Sequence, residues 1–138
     1  MIVLDTNVVS ELMKISPSVR VMNWCKAHPV ADLFITTITQ AEIFLGIELL
    51  PKGKRRTALE HAVQATFSDD FDAHILPFDT DAARELASIA ASRRKLGRAI
   101  SQTDAQIAAI ASSRGTAVAT RNTGDFEHCG VTVLNPWT

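Results

Sequence analysis

The chain has 138 residues, 46% of them hydrophobic, which is enough for one domain with a buried core but too short for two domains of ordinary size. The net charge of -1 argues against a protein that coats nucleic acid by charge alone. From its length we therefore expect a single domain, residues 1–138. The two cysteines, Cys25 and Cys129, lack paired spacing and indicate neither a zinc site nor a disulfide framework, so we expect a reducing cytoplasm.

Short apolar runs alternate along the chain with longer segments of helical periodicity, which is the pattern of an α/β fold. The first run, Ile2 to Leu4, has no basic leader and is interrupted by Asp5. We interpret it as a central strand and not as a signal or membrane-spanning segment. Four more strands are predicted, at 33–35, 74–76, 117–119 and 131–134. Helices are predicted at 18–27, 39–50, 56–67, 81–96 and 103–114.

Capping signals mark the ends of several predicted helices. Thr80 is an N-cap candidate, and Gly97 and Gly115 suit left-handed C-terminal caps because each follows a basic last turn. Since connections between parallel strands are usually right-handed helical crossovers, we expect a three-layer α/β/α sandwich with a mostly parallel, five-stranded sheet.

Four acidic residues are predicted to meet at one edge of this sheet. Asp5 follows the first strand and Asp125 lies in the loop after the fourth. Glu42 is predicted in the first turn of the helix after the second strand, and Asp104 lies early in the last helix. Ligands of open α/β sheets bind beyond the carboxyl ends of the strands, so this edge is the candidate site.

Two of these acids lie on apolar helix faces in the sequence pattern. Asp104 aligns with Ile107, Ala108 and Ala111, while Glu42 shares a face with Leu45 and Leu49. An inward-facing carboxylate is costly unless it is paired, hydrogen-bonded or bound to a metal. Converging acids also raise one another's pKa unless a cation keeps them ionised. An all-oxygen set of this kind favours Mg²⁺ or Mn²⁺ over zinc.

Each acid also has a purely structural interpretation. Asp5 suits an N-cap, Glu42 fits a capping box with Thr39, and Asp104 matches a helix start at Ser101. Asp125 in a Gly-containing loop is more typical of a turn. Two basic runs, 52–56 and 93–98, could contact phosphates or form solvated helix ends.

Four segments resemble the PIN-domain ribonucleases, in particular the VapC toxins and their FitB-like branch. They contain the four acids in order and span most of the chain: Ile2 to Glu11, Thr39 to Gly46, Asp104 to Ala109, and Ala119 to Phe126. The ending Val133 to Trp137 is similar to the same branch.

The resemblance implies a sheet of order 3-2-1-4-5 and Mg²⁺-dependent cleavage of RNA phosphodiester bonds, with Mn²⁺ as a substitute. Asp5 and Asp104 would be the direct metal ligands, and Glu42 and Asp125 would complete the acidic pocket directly or through water. The resemblance gives supporting polar roles to Thr6, Asn7, Thr120 and Asn122.

The resemblance also implies the toxin half of a type II toxin-antitoxin pair that forms homodimers. Its antitoxin would be a small ribbon-helix-helix protein, and DNA would be contacted only through that partner. An antitoxin arginine could neutralise the acids, because it pairs bidentately with carboxylates.

Two other functions remain open from the residues alone. The first is a catalytically silent PIN-like module that binds RNA or an antitoxin, against which the complete acidic set argues. The second is a phosphatase with Asp5 as nucleophile. That class usually needs a second aspartate two residues later, where this chain has Asn7, and a lysine near the last acidic loop, where none lies between Arg114 and Asp125.

Overall fold

The computed structural model describes all 138 residues, and a five-stranded sheet forms its centre. The strand order is β3-β2-β1-β4-β5, and every neighbouring pair is parallel. The strands are β1 (Ile2–Leu4), β2 (Leu33–Thr36), β3 (Ile75–Leu76), β4 (Ala117–Ala119) and β5 (Val133–Leu134). The predicted order and α/β class are therefore confirmed.

Six helices connect and cover the strands. They are α1 (Thr6–Leu12), α2 (Val19–Lys26), α3 (Thr37–Glu48), α4 (Lys54–Ala65), α5 (Thr80–Lys95) and α6 (Gln102–Ser113). Short 3-10 turns occupy Val30–Asp32 and Thr123–Phe126, and a π-helical turn, Thr66–Asp70, extends α4. None of the helices is long and apolar enough to cross a bilayer.

Alternating side chains of the central strands divide the core into two halves. Val3 and Val118 pack with the buried residues of α5 and α6 on one face of the sheet. Leu4 and Ala119 pack on the other face with residues of α1 to α4. This alternation follows from the two-residue period of a strand, and it produces the predicted three layers.

Two predicted N-caps are displaced in the structure. Thr39 was expected to cap the third helix, but the cap is Thr36, whose Oγ1 accepts a hydrogen bond from the Thr39 amide at 3.1 Å. The cap of α5 is Asp79 and not Thr80. Because α3 begins immediately after β2, Glu42 lies in its second turn, and the predicted capping box is wrong. Gly97 and Gly115 adopt left-handed φ angles of 71° and 63°, as predicted for C-terminal caps.

Candidate active site

An open pocket of about 450 Å³ lies beyond the carboxyl ends of β1 and β4. Three of the four predicted acids contribute to its wall, together with hydroxyl, amide and basic groups. The lining residues are Asp5, Thr6, Asn7, Ser10, Glu11, Lys14, Glu42, Asp104, Arg121, Asn122 and Trp137. The edge of the sheet chosen from the sequence is therefore the edge that holds an acidic pocket.

Asp5 lies at the bottom of the pocket, where it is 5% exposed. Its Oδ1 accepts a hydrogen bond from the Thr6 amide at 2.8 Å, so it caps α1 as the structural interpretation proposed. Its Oδ2 accepts from Thr120 Oγ1 at 2.8 Å and from Asn7 Nδ2 at 3.3 Å. The cap fixes one oxygen and leaves the carboxylate at the pocket, so the two interpretations of Asp5 are compatible.

Thr120 is the buried support of this carboxylate. Besides donating to Asp5, its hydroxyl oxygen accepts from Asn7 Nδ2 at 3.2 Å and from the Asn122 amide at 3.1 Å. The residues after β1 and those after β4 are thereby joined at one hydroxyl. The side chains of Thr120 and Asn7 thus contact Asp5, whereas Asn122 joins them through its backbone amide, and the supporting roles of all three in catalysis stay predictions.

Burial raises the pKa of Asp5 to about 6, well above its ordinary value, despite the opposing hydrogen bonds from Thr120 and Thr6. The negative charges of Asp104 and Glu42 raise the pKa of Asp5 further, by smaller amounts. Mutual repulsion, the cause predicted from the sequence, is the smaller contribution to this shift, and removal of the carboxylate from water is the larger one. Near neutral pH the site therefore holds a carboxylate that a cation would stabilise.

Glu42 is placed by α1 as well as by its own helix. Thr6 Oγ1 donates to Glu42 Oε1 at 2.7 Å and lies 2.9 Å from Thr39 Oγ1. The buried face of α3 consists of Thr39, Ile43 and Ile47. The expectation that Glu42 shares a core face is wrong, because the residues chosen for that face, Leu45 and Leu49, are 58% and 76% exposed.

Asp104 lies in the first turn of α6, on the stripe expected from the sequence. Its backbone amide donates to the N-cap Ser101 Oγ at 3.3 Å, and its side chain is half-buried. The stripe residues Ile107, Ala108 and Ala111 are fully buried. Burial is the main cause that raises the pKa of Asp104.

Asp125 is exposed on the turn Thr123–Phe126 and does not line the pocket. Its negative charge nevertheless contributes to the raised pKa of Asp104. The fourth acid thus lies close enough to act on the third through its charge, while its role in the pocket itself stays a prediction.

Arg93 holds the loop that carries Asp125. Its Nη1 donates to the carbonyl oxygens of Asp125 and Glu127, at 3.0 and 2.7 Å, and its Nε donates to that of Arg98 at 2.6 Å. The guanidinium is buried, so the suggestion that Arg93 belongs to a phosphate-binding or solvated surface run is wrong.

Replacing Arg93 with Met should lower the free energy of unfolding by about 3 kcal/mol, because three carbonyl groups lose their donor. Urea denaturation of the purified variant measures this change. The matched control is Arg94→Met at an exposed neighbour, for which we expect a change within about 0.5 kcal/mol. Equal stability of the two variants would contradict the role of Arg93.

Glu11 is a buried acid of the pocket wall that was not among the acids predicted from the sequence. It accepts hydrogen bonds from Lys14 Nζ and from the Ser18 amide, each at 2.9 Å, and these donors lower its pKa. Its four-residue spacing from Asn7 in α1 is the signal that could have placed it there. With both oxygens engaged, Glu11 joins α1 to the start of α2.

The acids do not form a closed metal cage, since no group of three or more His, Cys, Asp or Glu side chains is placed to hold an ion. Mg²⁺ does not require such a cage, because it commonly binds one or two carboxylates and keeps several waters. Asp5 and Asp104, with oxygen groups around them and space beside them, fit this open kind of site.

The parallel order 3-2-1-4-5 within three layers, with an acidic pocket at the carboxyl edge of the central strands, defines the class of PIN-domain proteins. Residues 2–130 match the PIN domain family.

The chain belongs to this family, within the VapC and FitB group. It is 41% identical over 137 residues to the VapC ribonuclease Y4jK of Sinorhizobium fredii, covering 99% of this chain and 98% of that protein. It is 39% identical to Toxin FitB of Neisseria gonorrhoeae, covering 99% of each. The structure of FitAB bound to an IR36 DNA fragment superposes with a TM-score of 0.93 and 38% identity, covering 100% of this chain and 96% of the other. The resemblance stated from the sequence is confirmed.

Proposed function

We propose that this chain is the toxin of a type II toxin-antitoxin pair and acts as a Mg²⁺-dependent endoribonuclease. The main support is the buried Asp5 carboxylate, whose pKa is raised and which shares an open pocket with Asp104 and Glu42. The similarity to a VapC ribonuclease along nearly the whole chain agrees with this assignment.

In this proposal Asp5 and Asp104 hold the metal ion, and Thr120 and Asn7 fix the orientation of Asp5. Bound Mg²⁺, or Mn²⁺ in its place, would supply a positive charge for the scissile phosphate and an acidified water. Glu42, oriented by Thr6, is available to accept a proton at Oε2, because Oε1 receives the Thr6 hydroxyl. Asp125 adds negative charge beside Asp104.

The proposed activity is tested by incubating the purified chain with total RNA and Mg²⁺. We expect discrete RNA fragments and no hydrolysis of small phosphomonoesters. RNA that is bound but stays intact would support the silent binding module. Hydrolysis of phosphomonoesters with intact RNA would support the phosphatase.

We further propose a homodimer bound to a small ribbon-helix-helix antitoxin, through which the complex contacts operator DNA. The similar FitAB complex is bound to a DNA fragment in its structure, which supports this arrangement. A second, more apolar groove adjoins the acidic pocket and shares Thr6, Ser10, Lys14 and Glu42 with it. An antitoxin segment in this groove could place an arginine against the acids.

Substituting Ala58, an exposed groove residue of α4, with Arg should weaken antitoxin binding about tenfold or more, because a large charged side chain then occupies the groove. Inhibition of RNA cleavage by the purified cognate antitoxin measures this effect. Ala65→Arg, also exposed on α4 but outside the groove, is the control. If antitoxin inhibits both variants equally, the groove is not its binding site.

A further inference from the structure

The tail of the chain returns to the mouth of the acidic pocket. After β5, Asn135 Oδ1 accepts a hydrogen bond from the Trp137 amide at 2.9 Å, and Arg20 Nη1 donates to the Trp137 carbonyl at 3.4 Å. Part of the indole packs against the core beside α1 to α4, and part lines the pocket. The half-buried Trp137 side chain is therefore held in place at the site.

Trp137 is unusual among the residues around it. It is the one hydrophobic residue of the eleven that line the pocket. Packing against the core explains why one part of the indole is buried. It does not explain why the other part faces a pocket that is otherwise built of acids, hydroxyls, amides and basic groups.

Arg121 stacks on this indole, with its guanidinium carbon 5.3 Å from the ring centroid. Its backbone amide donates to Asn7 Oδ1 at 3.3 Å, which ties Arg121 to the support of Asp5. Arg121 is exposed, and it takes part in none of the six ion pairs of the protein. Lys14, the other basic residue of the pocket, is paired with Glu11. Arg121 thus lies on an aromatic surface beside the acids and makes no ion pair of its own, although its charge helps to lower the pKa of Glu11.

A fixed aromatic ring next to an unpaired arginine suits an unstacked nucleobase and its phosphate. Single-stranded RNA is bound by stacking its bases on aromatic rings or on guanidinium planes, while arginine also contacts the backbone. We propose that Arg121 and Trp137 form a base-stacking subsite for a nucleotide next to the scissile phosphate. This inference rests on the proposed ribonuclease function, whose cleavage chemistry it does not alter.

The chain offers a direct optical test, because it has only two tryptophans and no tyrosine. Trp24→Phe leaves Trp137 as the only tryptophan, and Asp5→Asn in the same chain prevents cleavage during the measurement. A short single-stranded RNA labelled with fluorescein reports binding by anisotropy, while the unlabelled RNA reports stacking by quenching of tryptophan emission. An abasic oligomer of the same length carries the phosphates without the bases.

We expect RNA to quench the emission of Trp137 and the abasic oligomer to bind about tenfold more weakly without quenching it. The matched control is Trp137→Phe in a chain that keeps Trp24, whose emission RNA should leave unchanged. In the cleavage-competent chain, Trp137→Ala and Arg121→Ala should each raise KM more than they lower kcat. Trp137→Phe should restore KM, because Phe also stacks.

Binding with unchanged Trp137 emission, or equal binding of RNA and the abasic oligomer, would overturn the stacking subsite alone. Such a result would leave the ribonuclease assignment intact. Absence of RNA binding in the anisotropy measurement would also overturn the stacking subsite, whereas the ribonuclease assignment would be contradicted only if the unsubstituted chain failed to cleave RNA in Mg²⁺.

Discussion

Asp5→Asn should reduce RNA cleavage at least about 100-fold while leaving the chain folded. In metal sites, loss of even an outer partner costs about 10 to 100-fold in affinity or activity, and Asp5 is proposed as a direct ligand. The substitution keeps the size of the side chain and the oxygen that caps α1. Initial rates of RNA cleavage with purified protein, alongside circular dichroism, measure both parts of the prediction.

Asp104→Asn should have a comparable effect, because Asp104 is the second proposed ligand. The chain should stay folded, since the backbone amide of residue 104 still donates its hydrogen bond to Ser101 Oγ. The control is Asp72→Asn, an exposed acid that does not line the pocket and whose loss should leave the rate unchanged. If the Asp5 and Asp104 variants both cleave RNA at the rate of the control, the site is assigned to the wrong residues.

The second large effect concerns the pH dependence of stability without divalent cations. The pKa of Asp5 is about 6 in the folded chain, raised by burial, against 3.8 as its ordinary value. The folded state therefore binds this proton more tightly than the unfolded state does. Binding of this proton therefore stabilises the folded state. The stabilisation reaches its full value only below the ordinary pKa of 3.8, and it is lost as the pH rises through about 6.

Relative to Asp5→Asn, the free energy of unfolding of the unsubstituted chain should fall by about 2 kcal/mol between pH 4 and pH 7, at roughly 1.4 kcal/mol per pKa unit and with part of the effect already lost at pH 4. Urea denaturation of both proteins in EDTA, at several pH values, gives this difference while cancelling the titration of the other acids. If the difference in the free energy of unfolding between the two proteins does not vary with pH, folding does not raise the pKa of Asp5.

The parts of the fold that depend on local pattern were predictable from the sequence. The run Ile2 to Leu4 is continuous and apolar because β1 is covered on both faces, and its bounds were predicted correctly. The bounds of β4 were also correct. The helix predicted at 56–67, which corresponds to α4, ends at Ala65 in the structure, and a π-helical turn follows it. Periodicity alone does not distinguish that segment from further α-helix.

The site was predictable only in part, because its remaining features depend on contacts between distant residues. Asp104 could be recognised from its phase relative to the buried stripe of its own helix. Glu42 could not be placed in the same way, since Thr6 of α1 orients it. Arg93 belongs to a basic run in the sequence, and only the packing of α5 against the loop at Asp125 shows that it is buried.

Chelation is the most direct test of whether RNA cleavage by this protein depends on a divalent cation. Purified chain that cleaves RNA in Mg²⁺ should lose that activity in excess EDTA, retain its circular dichroism spectrum, and recover when Mg²⁺ is restored above the chelator. This result is expected because Asp5 and Asp104 would then repel the phosphate without a cation between them. Undiminished RNA cleavage in excess EDTA would contradict the account.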